Sequence, residues 1–197
     1  MKLEVVGYRI SGIILFLVLL LTVVIAEDSE QVRRLIQNTG ILAFVLLAAA
    51  ALISPIVKLS TRSTVKKAGP EIRRCLGVSA TFTAIVHLSI IFFSDYVSDL
   101  FTLITEPQFR NGTAAFLMLI ILSISSFPIL RKFFKVSDWK SLHRLLYIAL
   151  PIALLHWVNS PGYSSVDRWI SLILFSSVII LRLLSLGRNK LKSSTAS

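Results

Sequence analysis

The segment Cys75–Ser94, CLGVSATFTAIVHLSIIFFS, decides the fold because it is twenty residues long and carries no charge. About twenty predominantly apolar residues in an α-helix are enough to cross the hydrocarbon core of a bilayer. Working outward from it, five further apolar blocks of similar length occur. These are Ile10–Ala26, Ile41–Val57, Thr113–Leu130, Leu142–Val158 and Trp169–Leu186. The sequence therefore predicts an all-α integral membrane bundle of six transmembrane helices.

The composition supports this class, since 55% of the 197 residues are hydrophobic. A soluble domain of this length needs more polar sequence to cover its core. The segments between the apolar blocks are too short to fold as separate soluble domains, and irregular backbone is excluded from contact with lipid. We therefore predict one membrane domain over residues 1–187, followed by a flexible cytoplasmic tail over residues 188–197.

The net charge of +11 has a one-sided distribution. With the loops assigned alternately to the two sides, 17 of the 21 basic residues fall on the side of the termini, and Arg33, Arg34, Arg110 and Arg168 fall on the other. Excess lysine and arginine marks the cytoplasmic side of a membrane protein. Both termini are therefore predicted to be cytoplasmic. The basic charge indicates contact with anionic lipid of the bilayer and no nucleic-acid partner.

Only three histidines occur, His87, His143 and His156, and each lies inside a predicted span. Ionisable side chains are costly within a bilayer, so an intramembrane histidine is a candidate functional residue. A neutral imidazole that only bonds a neighbouring helix is the alternative for each of them. Three histidines in spans and none in loops favour ligation of haem iron, which makes all three candidate cofactor-binding and metal-binding residues.

Two of these histidines are expected at similar depths. The third and fifth spans run in the same direction, His87 lies thirteen residues beyond Arg74, and His156 lies sixteen beyond Lys140. At about 1.5 Å per residue, their depths from the inner surface are about 20 and 24 Å. They could therefore bind one haem from neighbouring helices, and two axial imidazoles suit iron that only exchanges electrons.

His143 is expected near the inner surface instead. It lies about 19.5 Å below His156 and on a face about 140° away in an ideal helix. Pro151, between them, allows a kink or local unwinding that would change this facing. A second haem could bind there, although no histidine of the third span matches the depth of His143.

The chain has no nicotinamide-binding or flavin-binding fold and no glycine-rich phosphate loop. We therefore expect a relay or subunit of an oxidoreductase rather than a complete enzyme. A non-haem transport or assembly subunit remains the competing class, although the spans contain no aspartate or glutamate of the kind that often marks a transport pathway.

Two sequence motifs resemble a known family. The run Arg73–Gly77 followed by His87 is similar to a segment of the MsrQ (YedZ) family. Trp139–Tyr147, with the sequence WKSLHRLLY, followed by Leu155–Trp157, is similar to a second segment of that family. MsrQ proteins belong to the ferric reductase-like transmembrane superfamily, and the resemblance extends from about Thr39 to Trp157.

The resemblance implies a b-type haem subunit of the bacterial inner membrane. It implies that electrons arrive from a cytoplasmic flavin reductase and leave to MsrP, a periplasmic molybdenum enzyme that reduces methionine sulfoxide. By matching motifs, His87 and His156 would share one haem and His143 would serve another, and FMN is a further possible cofactor. The stretches Glu106–Gly112 and Ser123–Leu130 depart from the family pattern, which leaves ferric iron or a quinone open as other acceptors.

Overall fold

The computed structural model describes residues 29–94, 101–127, 133–160 and 164–194. Over these ranges the chain is helical and contains no strand. The helices are α1 (Ser29–Leu59), α2 (Ser63–Phe93), α3 (Thr102–Thr105), α4 (Pro107–Ser126), α5 (Val136–Leu142), α6 (Leu146–Asn159) and α7 (Ser165–Ser194). A 3₁₀ turn over His143–Leu145 connects α5 to α6. The first predicted span, Ile10–Ala26, lies outside the described residues.

Five helical segments of the described chain are long and apolar enough to cross a membrane. They are Ser29–Leu59, Ser63–Phe93, Phe109–Ser126, Ser137–Asn159 and Ser165–Arg188. These segments overlap the second to sixth predicted spans, so the all-α class and five of the six predicted helices are confirmed. The cytoplasmic position of the termini stays a prediction.

The connection between α1 and α2 is much shorter than the sequence suggested. The predicted spans end at Val57 and begin again at Cys75, but only Ser60–Arg62 separate the two helices. The apolar blocks mark the part of each helix that fits the membrane core, and the helices extend beyond it. Residues such as Lys66 and Lys67 favour helix, and they extend α2 beyond the apolar block. At the other end of the chain, α7 is helical through Ser194, beyond Gly187, where a flexible tail was expected to begin.

The fifth predicted span changes its winding at His143–Leu145 and not at Pro151. Pro151 lies inside α6, which is helical from Leu146 to Asn159. The 3₁₀ turn rotates the chain by about 120° per residue, compared with about 100° in an α-helix. The relative facing of His143 and His156 is therefore altered upstream of the proline.

The helices pack around an apolar core. α1 lies along α2 and also contacts α6 and α7, while α4 packs on α6 and α2. Alanines at the contacts, including Ala48, Ala51 and Ala80, are almost fully buried. Small side chains allow close helix approach in membrane proteins, where attraction comes from packing rather than from exclusion of water. This packing sets the facing of α1, α2, α4 and α6 around the site.

Candidate functional site

A cavity opens between α1, α2, α4 and α6, near the end of the bundle where α2 and α6 finish and α4 begins. It holds about 800 Å³ of atom-free space, part of which is open to the surroundings. Four of the helices contribute small residues to its walls, which leaves room between them. These residues are Gly40, Ala43, Ala84, Ala115 and Ala153.

His87 from α2 and His156 from α6 both line this cavity. Their ring centres are 6.4 Å apart, and the ring planes are inclined by 74°. They are the only titratable side chains among its lining residues. The structure therefore brings together the two histidines for which the sequence predicted similar depths.

The spacing of the two rings fits one metal ion between them. With a metal–imidazole bond of about 2.0–2.1 Å, as for zinc, and the ring centre about 1.2 Å behind the nitrogen, opposite axial imidazoles have centres about 6.4–6.6 Å apart. No group of three or more histidine, cysteine, aspartate or glutamate residues that could hold a metal occurs in the described parts of the chain. Haem iron needs only two such protein ligands, because the macrocycle supplies the others.

Two groups of α1 orient His87. Its Nδ1 lies 2.9 Å from the carbonyl oxygen of Ile36 and 3.2 Å from Oγ1 of Thr39. The Thr39 hydroxyl donates to the Leu35 carbonyl at 2.7 Å, so its oxygen can accept from Nδ1–H. In this tautomer Nε2 carries the lone pair. Metal-binding histidines commonly use their second nitrogen in this way, which fixes both tautomer and ring orientation.

Gly112 of α4 packs against His156. A Cβ built on Gly112 would lie 2.9 Å from Nε2 and from Cε1 of His156, and 3.0 Å from Cδ2. These three atoms form the Nε2 end of the ring, so a side chain at position 112 would press on that end of the imidazole. Glycine is thus required here by the close approach of α4 to the imidazole.

The remaining walls are apolar. Phe44 and Trp157 line the cavity and meet edge to face, with ring centres 4.8 Å apart. Leu103 and Phe109 cover it toward the nearer helix ends, where the Thr113 hydroxyl donates to the Leu103 carbonyl at 2.9 Å. Apolar and partly aromatic walls of this kind suit a large apolar macrocycle.

His143 does not line the cavity. Its Nδ1 lies 3.0 Å from the Trp139 carbonyl oxygen, and its Nε2 lies 3.2 Å from Oγ of Ser126. Its ring centre is 4.1 Å from that of Trp139. Of the three histidines singled out in the sequence, the structure therefore brings two together and places the third in a separate contact network.

Sequence reasoning did not identify Thr39 or Gly112 as site residues. Thr39 lies 48 positions from His87, and no single-sequence pattern indicates that they meet. Gly112 lies just before the span predicted to begin at Thr113, but the helix already begins at Pro107. Its position at the start of an apolar helix could have signalled a close contact.

The fold and site define a multi-pass membrane protein with a mostly apolar cavity that two histidines line. The sequence model of the ferric reductase like transmembrane component matches residues 39–154, which is more than half of the chain. The chain therefore belongs to the ferric reductase-like transmembrane family. The matched range contains His87 and His143 and ends just before His156.

The chain is also similar to the protein-methionine-sulfoxide reductase heme-binding subunit MsrQ of Herminiimonas arsenicoxydans. The two are 27% identical over 161 residues, which cover 79% of this chain and 71% of the relative. This similarity agrees with the family indicated by the motifs around His87 and His156.

Proposed function

We propose that the chain binds b-type haem between His87 and His156 and transfers electrons across the membrane. The observation that carries this proposal is the 6.4 Å spacing of the two imidazoles across an apolar cavity. The similarity to a heme-binding subunit supports it. A haem bound there would supply a one-electron carrier within the bilayer.

The residues of the site suit electron transfer rather than substrate chemistry. If His87 and His156 both held the haem iron, no coordination position would be left for a substrate. The Ile36 carbonyl and the Thr39 hydroxyl hold His87 in one orientation. The lining is mostly apolar, so few groups would reorient when the charge of a bound haem changes, which would reduce the reorganisation that accompanies each electron transfer.

For the direction and partners, we propose that electrons pass from a cytoplasmic flavin reductase to a periplasmic molybdenum methionine sulfoxide reductase. The name of the relative supports the methionine sulfoxide system. The end of the bundle away from the cavity carries Lys58, Arg73, Arg182 and Arg188, which supports a cytoplasmic assignment for that end. The protein would then lie in the bacterial inner membrane with cytoplasmic termini.

Ferric iron is the second candidate acceptor, because the matching family is named for ferric reductases. Purified, reduced protein distinguishes the two acceptors. Rapid reoxidation by the molybdenum enzyme with methionine sulfoxide, and slow reoxidation by chelated ferric iron, would support the first. The reverse order would favour a ferric reductase.

The haem proposal predicts a coloured protein. Chain purified in detergent from haem-replete cells is expected to show an intense haem band that sharpens on reduction with dithionite, as in low-spin b-type cytochromes. The check is an absorption spectrum recorded before and after reduction. A folded but colourless preparation would contradict the proposal and favour a non-haem subunit.

A smaller effect is expected from Thr39→Val, which keeps the shape of the side chain but removes the hydroxyl near Nδ1 of His87. Because the Ile36 carbonyl still accepts from Nδ1–H, haem retention should weaken by only about tenfold, the lower end of the effect of losing an outer hydrogen bond. The midpoint potential should rise, since a less basic imidazole stabilises the ferric state less. Thr39→Ser is the matched control and should behave as wild type in a redox titration.

A further inference from the structure

We infer that the half of the bundle away from the cavity contains a hydrogen-bonded joint centred on His143 in place of a second haem site. The chain would therefore bind one haem. This inference rests on the proposed function of the His87–His156 pair and limits it to a single cofactor of that kind.

Both ring nitrogens of His143 are bonded to protein atoms. In the neutral ring, Nδ1–H donates to the Trp139 carbonyl oxygen at 3.0 Å, and Nε2 can accept at 3.2 Å from the Ser126 hydroxyl when that hydroxyl turns away from the Leu122 carbonyl. In the charged ring, Nε2–H donates to Ser126, whose hydroxyl then donates to the Leu122 carbonyl at 2.8 Å. In each state the nitrogen that would bind iron is already engaged. His87 differs, because its described contacts use Nδ1 only.

Trp139 covers the imidazole of His143. The two ring centres are 4.1 Å apart, with planes inclined by 37°. The indole is itself held by Nε1–H, which donates to the Ser125 carbonyl at 3.2 Å. The ring of His143 is therefore packed against a neighbouring side chain and lies outside the cavity that His156 lines.

The position opposite His143 on α2 is taken by Arg73. This residue lies fourteen positions before His87, about 21 Å along the helix and within about 40° of the same face. A guanidinium nitrogen of Arg73 lies 3.2 Å from the His143 carbonyl oxygen, to which it donates. Arginine has no lone pair for iron and keeps its charge, so it cannot replace the missing second imidazole.

These contacts have a structural purpose of their own. Arg73 of α2, Ser126 of α4 and Trp139 of α5 all bond the residue at which the 3₁₀ turn begins. They tie three helices to the start of α6, which carries His156. The joint thus anchors the 3₁₀ turn whose winding determines the facing of α6.

The number of haems per chain tests this inference directly in the wild-type protein. Haem measured as the pyridine complex, divided by chain concentration from amino-acid analysis, is expected to be one. A value of two would overturn the inference and leave the proposed function intact. A value of zero would overturn the proposed function, and the single-haem inference with it.

Matched variants test the assignment of each histidine. His143→Gln keeps a donor and an acceptor at the end of the side chain, so it should retain one haem per chain and the wild-type reduced spectrum. His87→Gln, the same change in the cavity, should lose its haem. If His143→Gln removed haem from folded protein, the inference would be overturned.

A second variant keeps the test decisive if His143→Gln does not fold. Ser126→Ala leaves the imidazole in place but removes its hydroxyl partner, so a joint predicts a lower melting temperature with unchanged haem content. If His143 were an iron ligand, Ser126→Ala would instead gain haem, since removal of the competing hydrogen bond would allow iron to bind. A gain of haem in Ser126→Ala would therefore contradict the joint.

Discussion

His156→Ala is expected to abolish the b-type spectrum of the purified protein. The substitution removes one of the two imidazoles proposed to hold the haem, and the other residues that line the cavity offer no ligand in its place. Loss of an outer hydrogen bond to a metal ligand typically costs about 10–100-fold in affinity, so loss of the ligand itself should cost more. Haem content per chain is therefore expected to fall at least about tenfold. His87→Ala should give the same result.

Leu155→Ala provides the control for general damage to α6. Leu155 is adjacent in sequence but 53% exposed, and it does not line the cavity. It should retain its haem, so loss in both variants would indicate unfolding rather than loss of a ligand. Added imidazole offers a further check, because it can enter the space left in His156→Gly and restore a low-spin spectrum. Retention of the wild-type spectrum by His156→Ala would remove His156 from the site.

The second large effect is expected from Gly112→Ala. Its new Cβ would lie 2.9 Å from Nε2 of His156, closer than real Cβ contacts allow, so the imidazole must turn or α4 must move away. Either response would displace the His156 nitrogen that is proposed to hold the haem. The alanine itself should favour the helix by about 0.5–1 kcal/mol relative to glycine. We therefore expect a folded protein with strongly reduced haem content or with a high-spin spectrum.

Gly77→Ala is the matched control on α2. A Cβ at Gly77 meets nothing within 4 Å, so this variant should keep its haem and gain the same helix preference. Haem content, spin state and helicity by circular dichroism should be measured on both variants. Equal haem occupancy in Gly112→Ala and Gly77→Ala would show that the approach of α4 does not position His156.

Part of this site followed from the sequence because it depends on distance along a helix. The third and fifth spans run in the same direction, and a constant rise per residue places His87 and His156 at similar depths. That estimate needs no knowledge of the contacts between helices. The same reasoning predicted five of the helices that the structure describes, since apolar length alone selects them.

The rotation of each helix about its axis and the side-chain contacts between helices could not be derived from the sequence in the same way. The facing of His143 depends on a 3₁₀ turn that no sequence pattern indicates. The sequence instead suggested Pro151 as the place of a kink or local unwinding, and Pro151 lies inside α6. Thr39 and Gly112 act through neighbours on other helices, and their contacts depend on how those helices are turned. Helix ends were also misplaced at Ser63 and Pro107, because polar residues can extend a helix beyond the membrane.

The position of the cavity near one end of the bundle has an electrical consequence. With the proposed orientation, the His87–His156 pair lies about two thirds or more of the way from the cytoplasmic surface, by the depths of about 20 and 24 Å across a core of about 30 Å. An electron that moves outward leaves the negative side of an energised membrane. Its electrical free energy falls by about 2.3 kcal/mol per 100 mV over the full thickness. Most of this free energy would be released by the time the electron reaches the His87–His156 pair. Membrane voltage should therefore drive reduction from the cytoplasm strongly, and it should affect delivery to an outer acceptor only slightly.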